Sequence, residues 1–117
     1  MAGHLTDDVD RLRRDYVPVF LKYLAQQDEA GLQAAYDLGR EAMRRSIGLL
    51  EVVRIHNEAC LEVMSTVRQV DEAQAVARAA AEFLLELVAA FELVQRGFME
   101  LGLQRRPLGG DAPEPPR

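Results

Sequence analysis

Few residues of this chain have the type and spacing to do chemistry, and His56 is the first of them. A histidine on a helix can accept a phosphoryl group, ligate a metal or act as a base. Histidine phosphotransfer bundles place a lysine and a glycine soon after the reactive histidine, whereas Asn57 and Glu58 follow His56 here. We therefore interpret His56 as a partly buried histidine held by a hydrogen bond, and keep phosphotransfer as an alternative.

Metal binding and thiol chemistry have less support. A di-metal carboxylate bundle needs Glu-x-x-His on two helices, and the residue three before His56 is Val53. Cys60 follows His56 by one helical turn, which could pair a thiolate with a base. It lies among apolar neighbours, where a free cysteine behaves as a small hydrophobe. The sequence thus predicts no metal, no cofactor and no catalytic residue.

Composition narrows the class of protein. The chain has 117 residues, of which 49% are apolar and 28% charged, as in one soluble globular domain. Its net charge of −5 argues against a nucleic-acid partner. Its apolar runs are far shorter than the roughly 20 residues of a membrane-spanning helix, and its N-terminus lacks the pattern of a secretory signal. We expect a cytoplasmic protein that binds neither nucleic acid nor membrane.

Apolar residues repeat with helical spacing in four segments. The predicted helices run from about 7 to 26, 28 to 45, 46 to 67 and 71 to 103. Their predicted start signals are Thr6, Asp28, Ser46 and Asp71, and Pro18 is expected to bend or split the first helix. Because short connections favour antiparallel neighbours, the sequence predicts an all-α fold, an antiparallel four-helix bundle.

Two details of packing can be predicted. Gly39 lies inside the second helix between Ala35 and Ala42, and we expect it to allow close approach of a neighbouring helix. The third helix is apolar around much of its circumference, which predicts a central position. Its main buried stripe is predicted to be Leu49, Leu50, Val53, His56, Cys60, Met64 and Val67, with Val52, Ile55, Ala59 and Val63 as a flank.

The end of the chain differs in composition from the rest. Pro107, Gly109 and Gly110 are expected to end any helix that continues from the fourth, and no periodic apolar pattern is left to bury. We predict an interaction domain over residues 1–104 and a flexible tail over residues 105–117.

The fourth helix carries a surface feature that points to a function. The face opposite its predicted core residues (Phe83, Leu84, Leu87 and Phe91) is here called the helix-four strip and consists of Arg78, Glu82, Leu85, Ala89, Glu92 and Arg96. Leu85 and Ala89 form a small apolar patch flanked by charges, and Leu93 lies one turn further. A small apolar area rimmed by charge is typical of a docking site.

Four segments carry a resemblance through their order and spacing: 36–40 (YDLGR), 49–59 (LLEVVRIHNEA), 81–86 (AEFLLE) and 91–98 (FELVQRGF). Together they resemble the N-terminal domain of RsbU-type phosphoserine phosphatases, over roughly residues 9–103. The resemblance implies a dimeric, non-catalytic bundle that docks an RsbT-like switch protein kinase in bacterial stress-response signalling. In that family docking activates a phosphatase domain, which acts on an anti-anti-sigma factor and so frees a sigma factor.

The resemblance places the docking surface on the second and fourth helices. On this sequence it would include Glu29, Gln33, Leu85 and Ala89, to which the helix-four strip adds Glu82 and Glu92. No phosphatase domain follows within these residues, so we expect a partner-binding domain and not an enzyme. A third possibility is a sensor that holds a small apolar ligand inside the bundle.

The resemblance also implies a homodimer, and helix one agrees with it. Val17 and Leu21 are apolar but lie outside the main seam of that helix. We therefore expect its outer face to form a two-fold symmetric interface.

Overall fold

The computed structural model describes the backbone of residues 2–109, and the side chains of 7–97, 99 and 101. It contains the helices α1 (Ala2–Gln26), α2 (Glu29–Arg44), α3 (Leu49–Met64) and α4 (Val70–Gly109), and no strand within those residues. The connections are short, at residues 27–28, 45–48 and 65–69. The predicted all-α four-helix bundle is confirmed.

Side-chain contacts show how the helices are arranged. Tyr23 near the end of α1 lies beside Gly31 near the start of α2, while Asp15 approaches Arg45 at the other end, at 3.9 Å. The two helices are therefore antiparallel. α4 packs against all three other helices and most closely against α2, whereas α2 and α3 barely touch. One side of the bundle is thus formed by α2 and α4, and the other by α1 and α3.

Aromatic residues fill the centre of the core. Phe83 of α4 meets the rings of Phe20 and Tyr16 of α1 edge-on, with centroids 5.3 and 5.5 Å apart, a favourable geometry for aromatic pairs. Smaller residues close the core around them. The buried apolar residues are Leu12, Tyr16, Phe20, Tyr23, Ala35, Leu38, Ala42, Ile47, Val52, Ile55, Ala59, Ala79, Ala80, Phe83, Leu87 and Ala90.

The predicted N-cap at Asp28 is confirmed, but the one at Ser46 is wrong. Asp28 Oδ1 accepts a hydrogen bond from the Gly31 backbone N–H at 2.9 Å. Ser46 instead ends α2: its φ of 60° and the bonds from Ser46 N to Met43 O and Ile47 N to Ala42 O form a Schellman motif. This motif directs the side chain of Ile47 into the core, and α3 begins only at Leu49.

The predicted ends of α1 and α4 need correction. α1 starts at Ala2, so Thr6 lies within the helix and does not cap it. Pro18 does not split α1. Because proline has no N–H, one backbone carbonyl of the preceding turn lacks its hydrogen-bond donor. Pro18 is exposed, so water can reach that carbonyl. α4 starts at Val70, one residue before Asp71, and continues through Pro107 to Gly109, so Pro107 does not end the helix, contrary to the prediction. Residues 110–117 of the predicted tail lie outside the described residues.

The buried face of α3 is also rotated relative to the prediction. Val52, Ile55, His56 and Ala59 are buried, whereas Leu49 and Leu50 are exposed. The predicted flank is thus the main stripe. The helix ends at Met64 and not at Val67, so its predicted C-terminal turn is absent.

Candidate functional site

The two predicted docking residues of α2, Glu29 and Gln33, are both exposed. Their position is fixed by the start of the helix, which Asp28 caps. Gly31 faces α1 so closely that a Cβ there would lie 2.6 Å from Cδ1 of Tyr23. The first turn of α2 is therefore packed against α1, and Glu29 and Gln33 are held on its outer side.

The helix-four strip faces away from the core, as predicted. Leu85 is 68% exposed, whereas Leu87, two residues later, is 0% exposed. Ala89 is half-buried, and Leu93 extends the apolar patch as an exposed residue. Leu84, predicted as core, is only half-buried, because it lies about 100° from Leu85 on one flank of the helix.

The acids of the strip are positioned by hydrogen bonds. Glu82 accepts a hydrogen bond from the Tyr23 hydroxyl of α1 at 3.0 Å, and Glu92 accepts one from Arg96 at 2.8 Å. Burial, followed by the bond to Glu82, raises the pKa of Tyr23, so its hydroxyl remains a donor. Glu82 is thereby tied to the core, whereas the exposed Glu92–Arg96 pair contributes little to stability.

A groove between α2 and α4 joins the two parts of the predicted site. It has a volume of about 260 Å³ and is lined by Glu29, Leu32, Gln33, Tyr36 and Glu86. The structure therefore brings Glu29 and Gln33 beside a carboxylate of α4. Together the groove and the helix-four strip make up the surface where docking is predicted, which is named the docking surface below.

Sequence reasoning missed three residues of this groove. Leu32 and Tyr36 have the spacing of inward-facing residues, but both are only half-buried. Glu86 follows Leu85 directly, and its 100° step around α4 turns it towards α2. The direction of Glu86 around α4 could be predicted from the sequence. The identity of the helix that packs on that side could not.

Gly39 sets the distance between the two halves of the docking surface. A Cβ at Gly39 would lie 2.6 Å from the backbone oxygen of Leu87 and 3.0 Å from the Cβ of Ala90. The predicted close approach of a neighbouring helix is confirmed, and that helix is α4. The same contact holds the groove at its width.

His56 is not placed for phosphotransfer. It is only 4% exposed; its Nδ1 lies 2.6 Å from Oη of Tyr16 and its Nε2 lies 3.4 Å from Sγ of Cys60. Burial lowers the pKa of His56 and raises the pKa of the Cys60 thiol. The interpretation as a hydrogen-bonded structural histidine is confirmed, with deeper burial than expected.

A second pair of clefts lies on the other side of the bundle, between α1 and α3. The two clefts have volumes of about 510 and 520 Å³ and share the lining residues Val17, Ala59, Glu62 and Ser65. Both are open to solvent, whereas a sensor that holds an apolar molecule within the bundle requires an enclosed chamber.

Two other types of site are absent from the part of the chain that the structure describes. It contains no group of three or more His, Cys, Asp or Glu residues arranged to hold a metal ion. Over the same residues, no helix combines the length and the apolar character needed to cross a membrane.

Comparison with known proteins agrees with the features described above. The model of the N-terminal domain of the phosphoserine phosphatase RsbU matches residues 14–94, well over half of the chain. The match includes all of α2 and α3 and every residue of the docking surface except Arg96, and it is to the N-terminal domain and not to the phosphatase catalytic domain. No curated protein and no solved structure matches the chain. The chain therefore belongs to the family of RsbU phosphoserine phosphatase N-terminal domains.

Proposed function

We propose that this domain is a non-catalytic docking module whose docking surface binds an RsbT-like switch protein kinase in bacterial stress-response sigma-factor signalling. The observation that carries the proposal is Leu85, a large apolar side chain that is 68% exposed on a helix whose opposite face is fully buried. An apolar side chain exposed to water on a packed helix is available as an anchor for a partner. Membership of a family of phosphatase regulatory domains supports the same role.

The charges around Leu85 indicate the chemistry of the partner. Glu82, Glu86 and Glu92 lie on α4 near the apolar patch, and Glu29 lines the groove with Glu86. The strip also carries Arg78 and Arg96, and Arg96 is paired with Glu92. Complementary potentials steer association and fix its register. The partner should therefore present an apolar contact flanked by lysine or arginine.

The length of α4 suggests how a signal from the docked partner could reach a phosphatase domain. The helix carries its part of the docking surface between residues 78 and 96 and continues without interruption to Gly109. A partner bound at Leu85 therefore contacts the same helix that leads away from the bundle. In the proposed pathway, which operates in the cytoplasm, this docking regulates an RsbU-type phosphatase domain and so controls partner switching of a stress sigma factor.

Isothermal titration calorimetry with a purified RsbT-like kinase tests the proposal. We expect saturable binding of one kinase per chain, with a Kd tighter than about 100 μM. Because the surface is acidic, the affinity should fall as salt rises from about 0.05 to 0.5 M. A flat titration at 100 μM kinase, with a folded domain, would contradict the proposal.

We also propose that the domain is a homodimer that associates through the face formed by α1 and α3. Leu21 is 46% exposed and Leu61 is 71% exposed on this face, and both line the α1–α3 clefts with Val17. This face lies on the other side of the bundle from α2 and α4. Dimerisation would therefore leave both docking surfaces free.

Replacing Leu21 with glutamate is expected to dissociate this dimer without unfolding the domain, because the side chain is exposed in the monomer and buried only in the interface. Analytical ultracentrifugation should show a dimer for the wild type and a monomer for the variant. Gln26→Glu, which adds the same charge to an exposed position elsewhere on α1, should remain dimeric. A wild type that is monomeric at high micromolar concentration would refute the dimer.

A further inference from the structure

We propose that Tyr16, His56 and Cys60 form a proton-sensitive lock, in which neutral His56 holds α1 against α3 and protonation of His56 releases α1. Among the described residues, His56 is the only buried residue of a polar or charged type. It joins Tyr16 on α1, 40 positions away in the chain, to Cys60 one turn later on α3. The ring is thus a buried polar connection between these two helices.

The hydrogen bonds of the network require a neutral imidazole. The Tyr16 hydroxyl lies 2.6 Å from Nδ1 of His56 and has no other partner among the described residues. Its proton has an acceptor only if Nδ1 is unprotonated, and we therefore assign the hydroxyl as the donor. The proton of the ring is thereby assigned to Nε2, which donates to Sγ of Cys60 at 3.4 Å. Both ring nitrogens and the hydroxyl then have partners.

A second proton on His56 disrupts this pattern. Nδ1 becomes a donor, so the Tyr16 hydroxyl must turn to accept, and its own proton then loses its acceptor. The charged ring would also lie among the apolar rings of Phe20 and Phe83, with centroids at 5.3 and 6.5 Å. Attraction to these rings offsets only part of the cost of removing the charge from water.

No described group facing His56 supplies a compensating negative charge. α1 presents the Tyr16 hydroxyl, α3 the Cys60 thiol and α4 the Phe83 ring, while no described residue of α2 makes a hydrogen bond, ion pair or ring contact with His56. Burial raises the pKa of both the Tyr16 hydroxyl and the Cys60 thiol, so both remain neutral.

The charged pair that bridges α1 and α3 does not change this picture. Arg13 and Glu58 lie 3.4 Å apart in exposed positions and neutralise each other. Burial is the cause that lowers the pKa of His56.

The sign of the pH dependence follows from the lowered pKa of folded His56. In the unfolded chain a histidine titrates near its ordinary pKa of about 6.5. Above that pH neither state binds the proton, and the contribution of His56 to stability is complete. As the pH falls below about 6.5 the unfolded state binds the proton first, so the unfolding equilibrium constant rises, with a slope that approaches about tenfold per pH unit until folded His56 titrates.

Urea unfolding at pH 7.5, 6.5 and 5.5 tests the lock, with His56→Gln as the matched variant. Glutamine both donates and accepts hydrogen bonds but does not titrate. The unfolding constant of the wild type should rise up to about fivefold between pH 6.5 and 5.5, and that of His56→Gln should stay nearly constant, because ordinary carboxyl groups titrate near pH 4. Equal slopes for the two proteins would overturn the proposal.

Two measurements that leave His56 in place test the proposal even if His56→Gln fails to fold. His4 is the other histidine of the chain, so His4→Ala isolates the NMR titration of His56, whose pKa should lie below 6.5. Amide hydrogen exchange around Tyr16, corrected for its intrinsic pH dependence, should accelerate at pH 5.5 relative to pH 7.5. A His56 pKa at or above 6.5, or unchanged exchange of α1, would overturn the proposal.

Discussion

Replacing Leu85 with aspartate is expected to weaken binding of the RsbT-like kinase by at least about 30-fold, which corresponds to about 2 kcal/mol. The carboxylate would be desolvated in the complex without a partner. In the free domain it remains in water, since Leu85 is 68% exposed. The free energy of unfolding should therefore fall by less than about 1 kcal/mol. Calorimetric titration and urea unfolding of the same preparation measure both quantities.

Two matched leucines serve as controls for this substitution. Leu87→Asp places the same charge on the same helix at a fully buried position and should unfold the bundle. Leu50→Asp places it at a similarly exposed leucine of α3, 66% exposed, and should bind the kinase normally. If Leu85→Asp folds and binds like Leu50→Asp, the docking surface lies elsewhere on the domain.

Replacing Gly39 with alanine is expected to destabilise the bundle by about 2 kcal/mol, although alanine is the better helix former by about 1 kcal/mol. The added Cβ would lie 2.6 Å from the backbone oxygen of Leu87, and a backbone atom cannot rotate out of the way. α2 must then move away from α4. Thermal unfolding followed by circular dichroism should show a Tm lower by about 10 °C.

Gly97→Ala is the control for this prediction and should have the opposite sign. Gly97 also lies within a helix, but a Cβ there has no neighbouring atom within 4 Å. The substitution should leave the Tm unchanged or raise it, because alanine can stabilise a helix by up to about 1 kcal/mol relative to glycine. A Gly39→Ala protein as stable as the wild type would show that α2 and α4 are not held together by this close contact.

Features encoded in neighbouring residues could be predicted from the sequence. Asp28 was identified as a cap because an acceptor side chain stands just before a periodic segment. The exposure of Leu85 follows from its 100° steps from flanking core residues. Gly39 was identified because two alanines, one turn away on each side, leave room for another helix. Each of these inferences needs only the geometry of one helix.

The buried face of α3 could not be predicted from its periodicity. Leu49, Leu50, Val53 and Ile55 are all apolar, so the pattern of this helix does not select one face. The choice between faces depends on the contacts with α1 and α4. Leu49 and Leu50 are accordingly exposed, and Val52 is buried in their place.

Long-range contacts account for the remaining differences. Ser46 has the composition of an N-cap, but burial of Ile47 in the core favours a Schellman turn at the end of α2. The bond from Tyr16 to His56 spans 40 residues, and the position of Glu86 at a groove requires knowing that α2 lies beside it. None of these features has a local sequence pattern.

The footprint of the partner on the domain tests the docking surface most directly. Backbone NMR spectra of the ¹⁵N-labelled domain would be recorded with and without unlabelled RsbT-like kinase. We predict that the largest chemical-shift changes occur at Glu29, Gln33, Leu85 and Ala89, on the side formed by α2 and α4. Changes confined to the clefts between α1 and α3, or unchanged spectra at saturating kinase, would contradict docking at this surface.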